Sequence, residues 1–204
     1  MPLRLTEEQV EKVILNMKYP IFVTIVFIGI FQSQEVFGCG GGSKPKPKPK
    51  PPTPGGSKCF AQICSSNPSN RIRGTDRHGS GAFGAPRRSR THKGVDIVCA
   101  VGSRVYAPFP ASVVRGLTVY SASKHRGKPY NTGLELRGTG AWTGYKVKVF
   151  YVRKTINNGR IVASGDSIGT MTDRASVDPG MTNHVHVQLY KDGAIVNPTS
   201  FVNC

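Results

Sequence analysis

Apolar and polar residues alternate in short bursts over the last two thirds of the chain and almost nowhere recur at helical spacing. Ser103–Phe109 (SRVYAPF), Ala111–Val119 (ASVVRGLTV), Leu134–Arg137, Lys146–Val152 (KVKVFYV), Asp166–Met171 (DSIGTM) and His184–Tyr190 (HVHVQLY) are rich in β-branched and aromatic residues. Turn-forming pairs such as Asn158-Gly159 and Gly165-Asp166 separate them. The pattern predicts an all-β module of short antiparallel strands with little helix. Side chains alternate between the two faces of a strand. His184, His186 and Gln188 therefore share one face, and Val185, Val187 and Leu189 turn to the core.

The first 58 residues follow no such alternation. Thr6 and Gln9 make a capping-box pattern ahead of Val10, Val13, Ile14 and Leu15, an amphipathic extension over residues 1–16. Lys18 then precedes an uncharged run, Tyr19 to Phe31. That run is short for a hydrocarbon core of about 30 Å. It suits a secretory signal over 17–38, with Val36 and Gly38 small enough for cleavage before Cys39. Met17 is then an alternative initiator. An uncleaved anchor helped by Val13–Leu15, and a lipid anchor on Cys39, stay open. Residues 39–58 read as a linker: Gly40–Gly42, then strict Lys-Pro alternation from Lys44 to Pro51. Alternating proline enforces polyproline II, and like charges extend it further. It serves as a spacer or as a cationic stalk. The folded module is 59–204.

Charge narrows the partners. The chain holds 28 Lys+Arg against 11 Asp+Glu, a net +17. The module alone keeps 20 against 7, or +13, so the linker is not the main source. An anionic partner is expected: an acidic glycan, bacterial cell wall or a cell-surface receptor. Arg87, Arg88 and Arg90, directly before His92 and none of them a proposed metal ligand, form one candidate patch, and Lys124, Arg126 and Lys128 a second. General solubility charge is the competing reading. With no recognition helix and no aromatic RNA-binding motif, sequence-specific nucleic acid is not expected. No strand leads into a Gly-x-Gly-x-x-Gly turn, which excludes a dinucleotide-binding enzyme. One apolar run excludes a polytopic membrane protein, and no membrane span is expected in the mature form. Five cysteines without a C-x-x-C pair give no zinc knuckle.

Two histidine clusters carry candidate chemistry: His92-Lys93-Gly94-Val95-Asp96 and His184-Val185-His186. Imidazole nitrogens and a carboxylate oxygen suit Zn2+, and three protein ligands leave one position open. From spacing alone, satisfied structural histidines compete with a metal site.

Taken in order, Thr91–Ile97, Val105-Tyr106-Ala107-Pro108, Gly165–Thr170 and His184-Val185-His186 resemble the lysostaphin-type zinc endopeptidases. Those enzymes carry H-x-x-x-D, a VYAP strand, a GD-x-(I/V)-G turn and H-x-H in this sequence. Within them the chain looks most like the secreted leukocyte cell-derived chemotaxin family, on Ala61–Cys64, Ile72-Arg73, Asp76–Gly79, His92–Cys99, Val147–Tyr151 and His184–Val187. The resemblance implies a compact β fold, Zn2+ on His92, Asp96 and His186, and His184 beside the metal as catalytic helper in active members. It implies a further catalytic histidine after an aromatic strand, where this chain has Val152. Losing one positioned acid–base group typically costs about 10²–10⁴ in rate. The expectation is therefore a secreted, zinc-binding, non-catalytic signalling or binding module. The alternative is a metalloendopeptidase acting on peptidoglycan or glycine-rich peptides, with His78 or His125 replacing the missing group. The resemblance also pairs Cys64 with Cys99. Cys59 and Cys204, at the two ends of the module, are then expected to join, leaving Cys39 over.

Overall fold

The computed structural model describes residues 58–204. The expected extension (1–16), signal peptide (17–38), Cys39 and the linker up to residue 57 lie outside the described residues.

The chain runs β1 (Thr75–Asp76), β2 (Gly79–Ser80), β3 (Pro86–Arg87), β4 (Arg90–Thr91), β5 (Val95–Val98), β6 (Arg104–Tyr106) and β7 (Ala111–Leu117). It continues with β8 (Gly133–Gly138), β9 (Tyr145–Phe150), β10 (Val152–Lys154), β11 (Ile161–Val162), β12 (Ser167–Met171), β13 (His184–Lys191) and β14 (Ala194–Val196). A four-residue helix, α1 (Thr199–Val202), and two single 3-10 turns complete the described residues, an all-β fold with little helix.

The main sheet has seven strands in the order β11-β7-β8-β9-β13-β14, with β5 also paired to β13. β5 and β14 share one edge of β13, β5 against His184–Val187 and β14 against Leu189–Lys191. β10, β12 and β6 form a smaller sheet, and β1-β2 and β3-β4 are two-stranded hairpins. Every strand pair is antiparallel.

Period-two alternation sets the two faces of the main sheet. Val185, Val187 and Leu189 of β13 and Val147 and Val149 of β9 are fully buried in a core that includes Ile97, Leu134, Leu136 and Ile168. Burying a side chain of that size contributes roughly 1.5–3 kcal/mol. The opposite face carries His186, Gln188, Lys148 and Phe150. Register puts His186 directly across from both Asp96 on β5 and Phe150 on β9. Cross-strand partners project from the same face, so the metal motifs, 90 residues apart in sequence, meet on this face.

Two expected strands are corrected. The run Lys146–Val152 breaks at Tyr151, whose φ of +65° lies in the left-handed region. β9 ends at Phe150, and Val152 opens β10 in the other sheet. The run Ser103–Phe109 shrinks to Arg104–Tyr106, with Pro108 and Pro110 just beyond it.

At the ends of the module Cys59 joins Cys204, with Cα atoms 5.9 Å apart, and Cys64 joins Cys99 at 5.7 Å. Next to the terminal bridge, Phe60 stacks on Phe201 (centroids 5.6 Å) and Phe109 on Trp142 (4.4 Å). Aromatic packing thus holds both ends of the module beside the covalent link.

Candidate metal centre

Three side chains converge on the polar face. His92 Nε2 lies 3.0 Å from His186 Nδ1 and 3.1 Å from Asp96 Oδ1, and His186 Nδ1 lies 2.9 Å from that same oxygen. His92 Nδ1 donates to the Ala82 carbonyl at 2.8 Å, so the neutral ring turns its bare Nε2 to the triangle. Asp96 divides its two oxygens. Oδ2 accepts from Arg73 Nη2 at 3.0 Å and Nε at 3.3 Å, which leaves Oδ1 to face the histidines.

This donor set fits a cation. A bare imidazole nitrogen and a carboxylate oxygen both need positive charge, and the one proton on His186 Nδ1 cannot serve both. In a tetrahedral shell with bonds of about 2.0–2.1 Å, ligand atoms sit about 3.3–3.4 Å apart. The observed triangle, 2.9–3.1 Å on a side, is close to that geometry.

The backbone beneath is closely fitted. A Cβ on Gly94 would stand 2.4 Å from the Val187 carbonyl and 2.8 Å from the His186 ring. Glycine between His92 and Asp96 therefore lets β5 and the preceding loop lie against β13.

His184 is buried just outside the triangle, its Nε2 3.5 Å from Asp96 Oδ1 and its Nδ1 donating to the Thr182 carbonyl at 2.7 Å. Burial pushes its pKa down to about 4 against the opposing pull of the Asp96 charge, so the ring is neutral at physiological pH. Burial alone would raise the Asp96 carboxyl. The hydrogen bond from His186 leads the contacts that outweigh that and hold it well below the usual carboxylate range.

The triangle lies in a cleft of about 820 Å³. Arg87, Arg88 and Arg90 line it from the β3-β4 hairpin, with Arg88 at the tip. Arg87 reaches the triangle itself, its Nη2 3.8 Å from Asp96 Oδ2. Lys124, Arg126 and Lys128 are exposed on another loop, outside the cleft, where Lys124 borders a neighbouring hollow. His78 lines the cleft, 3.2 Å from the Pro179 carbonyl, whereas His125 packs against Tyr120, its ring tilted, in the neighbouring hollow. Val152 is fully buried, in contact range of Gly169, and does not line the cleft.

The cleft residues not singled out as site residues from the sequence include Arg73, Tyr120, Tyr151 and Arg174. The Tyr151 ring stands edge-on to His184 at 5.4 Å between centroids, and its hydroxyl lies 3.3 Å from that of Tyr120. The break in β9 is what aims Tyr151 there. No alternation rule would have placed it, since its backbone leaves the strand conformation.

The family model for Peptidase family M23 matches residues 90–198, which span both histidine motifs. Myeloid protein 1 of Gallus gallus is 39% identical over 132 residues, 63% of this chain and 38% of that protein. Leukocyte cell-derived chemotaxin-2 of Mus musculus is 37% identical over 135 residues, 63% of this chain and 80% of that protein. The catalytic domain of lysostaphin from Staphylococcus simulans superposes with a TM-score of 0.48 at 17% identity, over 62% of this chain and 91% of that domain. The chain belongs to peptidase family M23, among its leukocyte cell-derived chemotaxin relatives. The match spans well under half the length of Myeloid protein 1.

Proposed function

We propose that this protein is a secreted, zinc-binding module that recognises an anionic partner through the arginine-lined cleft and does not hydrolyse peptides. The observation that carries the reading is the pairing of a complete His92–Asp96–His186 donor set with a tyrosine on the flank of His184. Zinc bound there would supply a Lewis-acid position. His184 can accept a proton on its free Nε2. Its neighbour Tyr151 is a phenol rather than a second imidazole, and phenols are weak proton carriers at pH 7. The two disulfides and the kinship with the chemotaxin-2 proteins support an extracellular setting.

Membership of a peptidase family, with His184 neutral beside the triangle, favours a second reading: a slow metalloendopeptidase acting on peptidoglycan or glycine-rich peptides. Heparin chromatography and a cell-wall assay on zinc-loaded protein separate the two. A binding module is retained by heparin at 50 mM salt, is eluted by 500 mM, and sediments with wall that stays intact. A peptidase releases soluble wall fragments and ceases to do so once zinc is chelated.

A further inference from the structure

The cleft contains a second constructed feature, which the three candidate ligands do not use. Arg174 is only 6% exposed, yet its Nε and Nη1 have no hydrogen-bond partner. Its Nη2 pairs with Asp178. The guanidinium lies over the rings of Tyr151 (5.0 Å) and Tyr120 (5.9 Å). Such contacts attract the charge but take up no N–H. A buried guanidinium with orphan donors is destabilising, so its place in a well-packed cleft needs a reason.

The surroundings are rigid. Thr172, two residues before Arg174, donates from both its N–H and its hydroxyl to the Tyr151 carbonyl, each at 2.8 Å. Buried Asn131 accepts from the N–H groups of Val119 and Tyr120 and donates to the carbonyls of Tyr120 and His125. Arg174, Tyr120 and Tyr151 are therefore pre-positioned as a unit, and Tyr151 touches His184.

We propose that Arg174, with the Tyr120 and Tyr151 hydroxyls, forms a carboxylate subsite of the cleft, and that its ligand is a peptide presenting a free carboxylate beside the metal triangle. This rests on the binding-module reading of the same cleft. Asp178 is the resident stand-in. Its side chain is 40% exposed, so it can turn to water at small cost. A ligand carboxylate in its place can take Nε together with Nη2 in the side-on geometry that a guanidinium offers. Val119, Phe150 and Met181 give the cleft an apolar wall suited to peptide side chains. The outer arginines Arg88 and Arg90 are better disposed toward a polyanion.

The test is calorimetric titration of the zinc-loaded full-length chain with N-acetyl-trialanine bearing a free C-terminal carboxylate, with its C-terminal amide, and with a heparin hexasaccharide. The acid should bind at least tenfold tighter than the amide. Arg174→Met should abolish that preference while leaving the unfolding midpoint unchanged or raised, and Asp178→Ser should tighten acid binding several-fold. Equal binding of acid and amide overturns the proposal. So does an Arg174→Met protein that melts lower yet binds the acid like the parent, because Arg174 is then structural. Loss of heparin binding in Arg174→Met with peptide binding intact transfers the subsite to glycans and also overturns it. If replacing Arg87, Arg88 and Arg90 by Ser abolishes heparin binding while Arg174→Met changes nothing, the binding-module reading stands and the subsite alone falls.

Discussion

Arg73 holds the carboxylate of Asp96 from behind, Nη2 to Oδ2 at 3.0 Å, so that the other oxygen faces His92 and His186. The arginine is 2% exposed and is itself fixed by Asp76 at 2.5 Å and by the Gly79 carbonyl at 2.8 Å. The β1-β2 hairpin, which contributes no ligand, thereby orients one.

Replacing Arg73 by Gln should weaken zinc binding by about 10–100-fold, the usual effect of losing a partner behind a ligand. It should also destabilise the fold by about 3–5 kcal/mol, since it breaks a buried ion pair from one side. Chelator competition and thermal melting measure the two effects. Arg73→Lys should recover little, because an ammonium cannot span Asp96, Asp76 and the Gly79 carbonyl in the geometry of a guanidinium.

Gly94→Ala should cost about 1–3 kcal/mol, as overpacking does, and should lower zinc content, because the added methyl meets the His186 ring. Gly74→Ala is the matched control: nothing lies within 4 Å of a Cβ there. Melting curves and metal analysis of the two proteins should differ accordingly.

Ala at His92, Asp96 or His186 should each remove the bound zinc, whereas His184→Ala should retain it, because His184 stands outside the triangle. Free zinc at about 100 times its dissociation constant should stabilise the parent by about 2.7 kcal/mol relative to the chelated protein. A scan of melting midpoint against zinc concentration measures this, and the three ligand variants should show no response.

Opening the Cys64–Cys99 bridge with serines should destabilise by about 4 kcal/mol in the chain-entropy model for a separation of 35 residues. Both cysteines are fully buried, so the serines add a cost of desolvation. Denaturant unfolding of the double variant checks the sum.

The parts legible in sequence are those governed by short-range periodicity. Alternation along His184–Tyr190 gave the face of each histidine, and H-x-x-x-D supplied the other two members of the triangle. Arg73, Tyr120, Tyr151 and Arg174 were not legible, because loops bring them to the cleft and no local pattern distinguishes them from other arginines and tyrosines. The positive φ of Tyr151 is the sharpest case: it ends an apparently continuous strand, buries Val152 elsewhere and places a phenol beside His184. The arginines before His92 were legible as a cluster, but the 3.8 Å approach of Arg87 to Asp96 follows from how the β3-β4 hairpin folds back.

The most direct test combines metal content and wall release in one sample. Full-length protein loaded with zinc and freed of excess metal is incubated with purified peptidoglycan, then analysed for zinc per chain and for soluble fragments. One zinc per chain is expected, and wall that sediments undiminished with protein bound to it. Soluble fragments produced at ordinary enzyme rates, and lost on His184→Ala, would contradict that expectation.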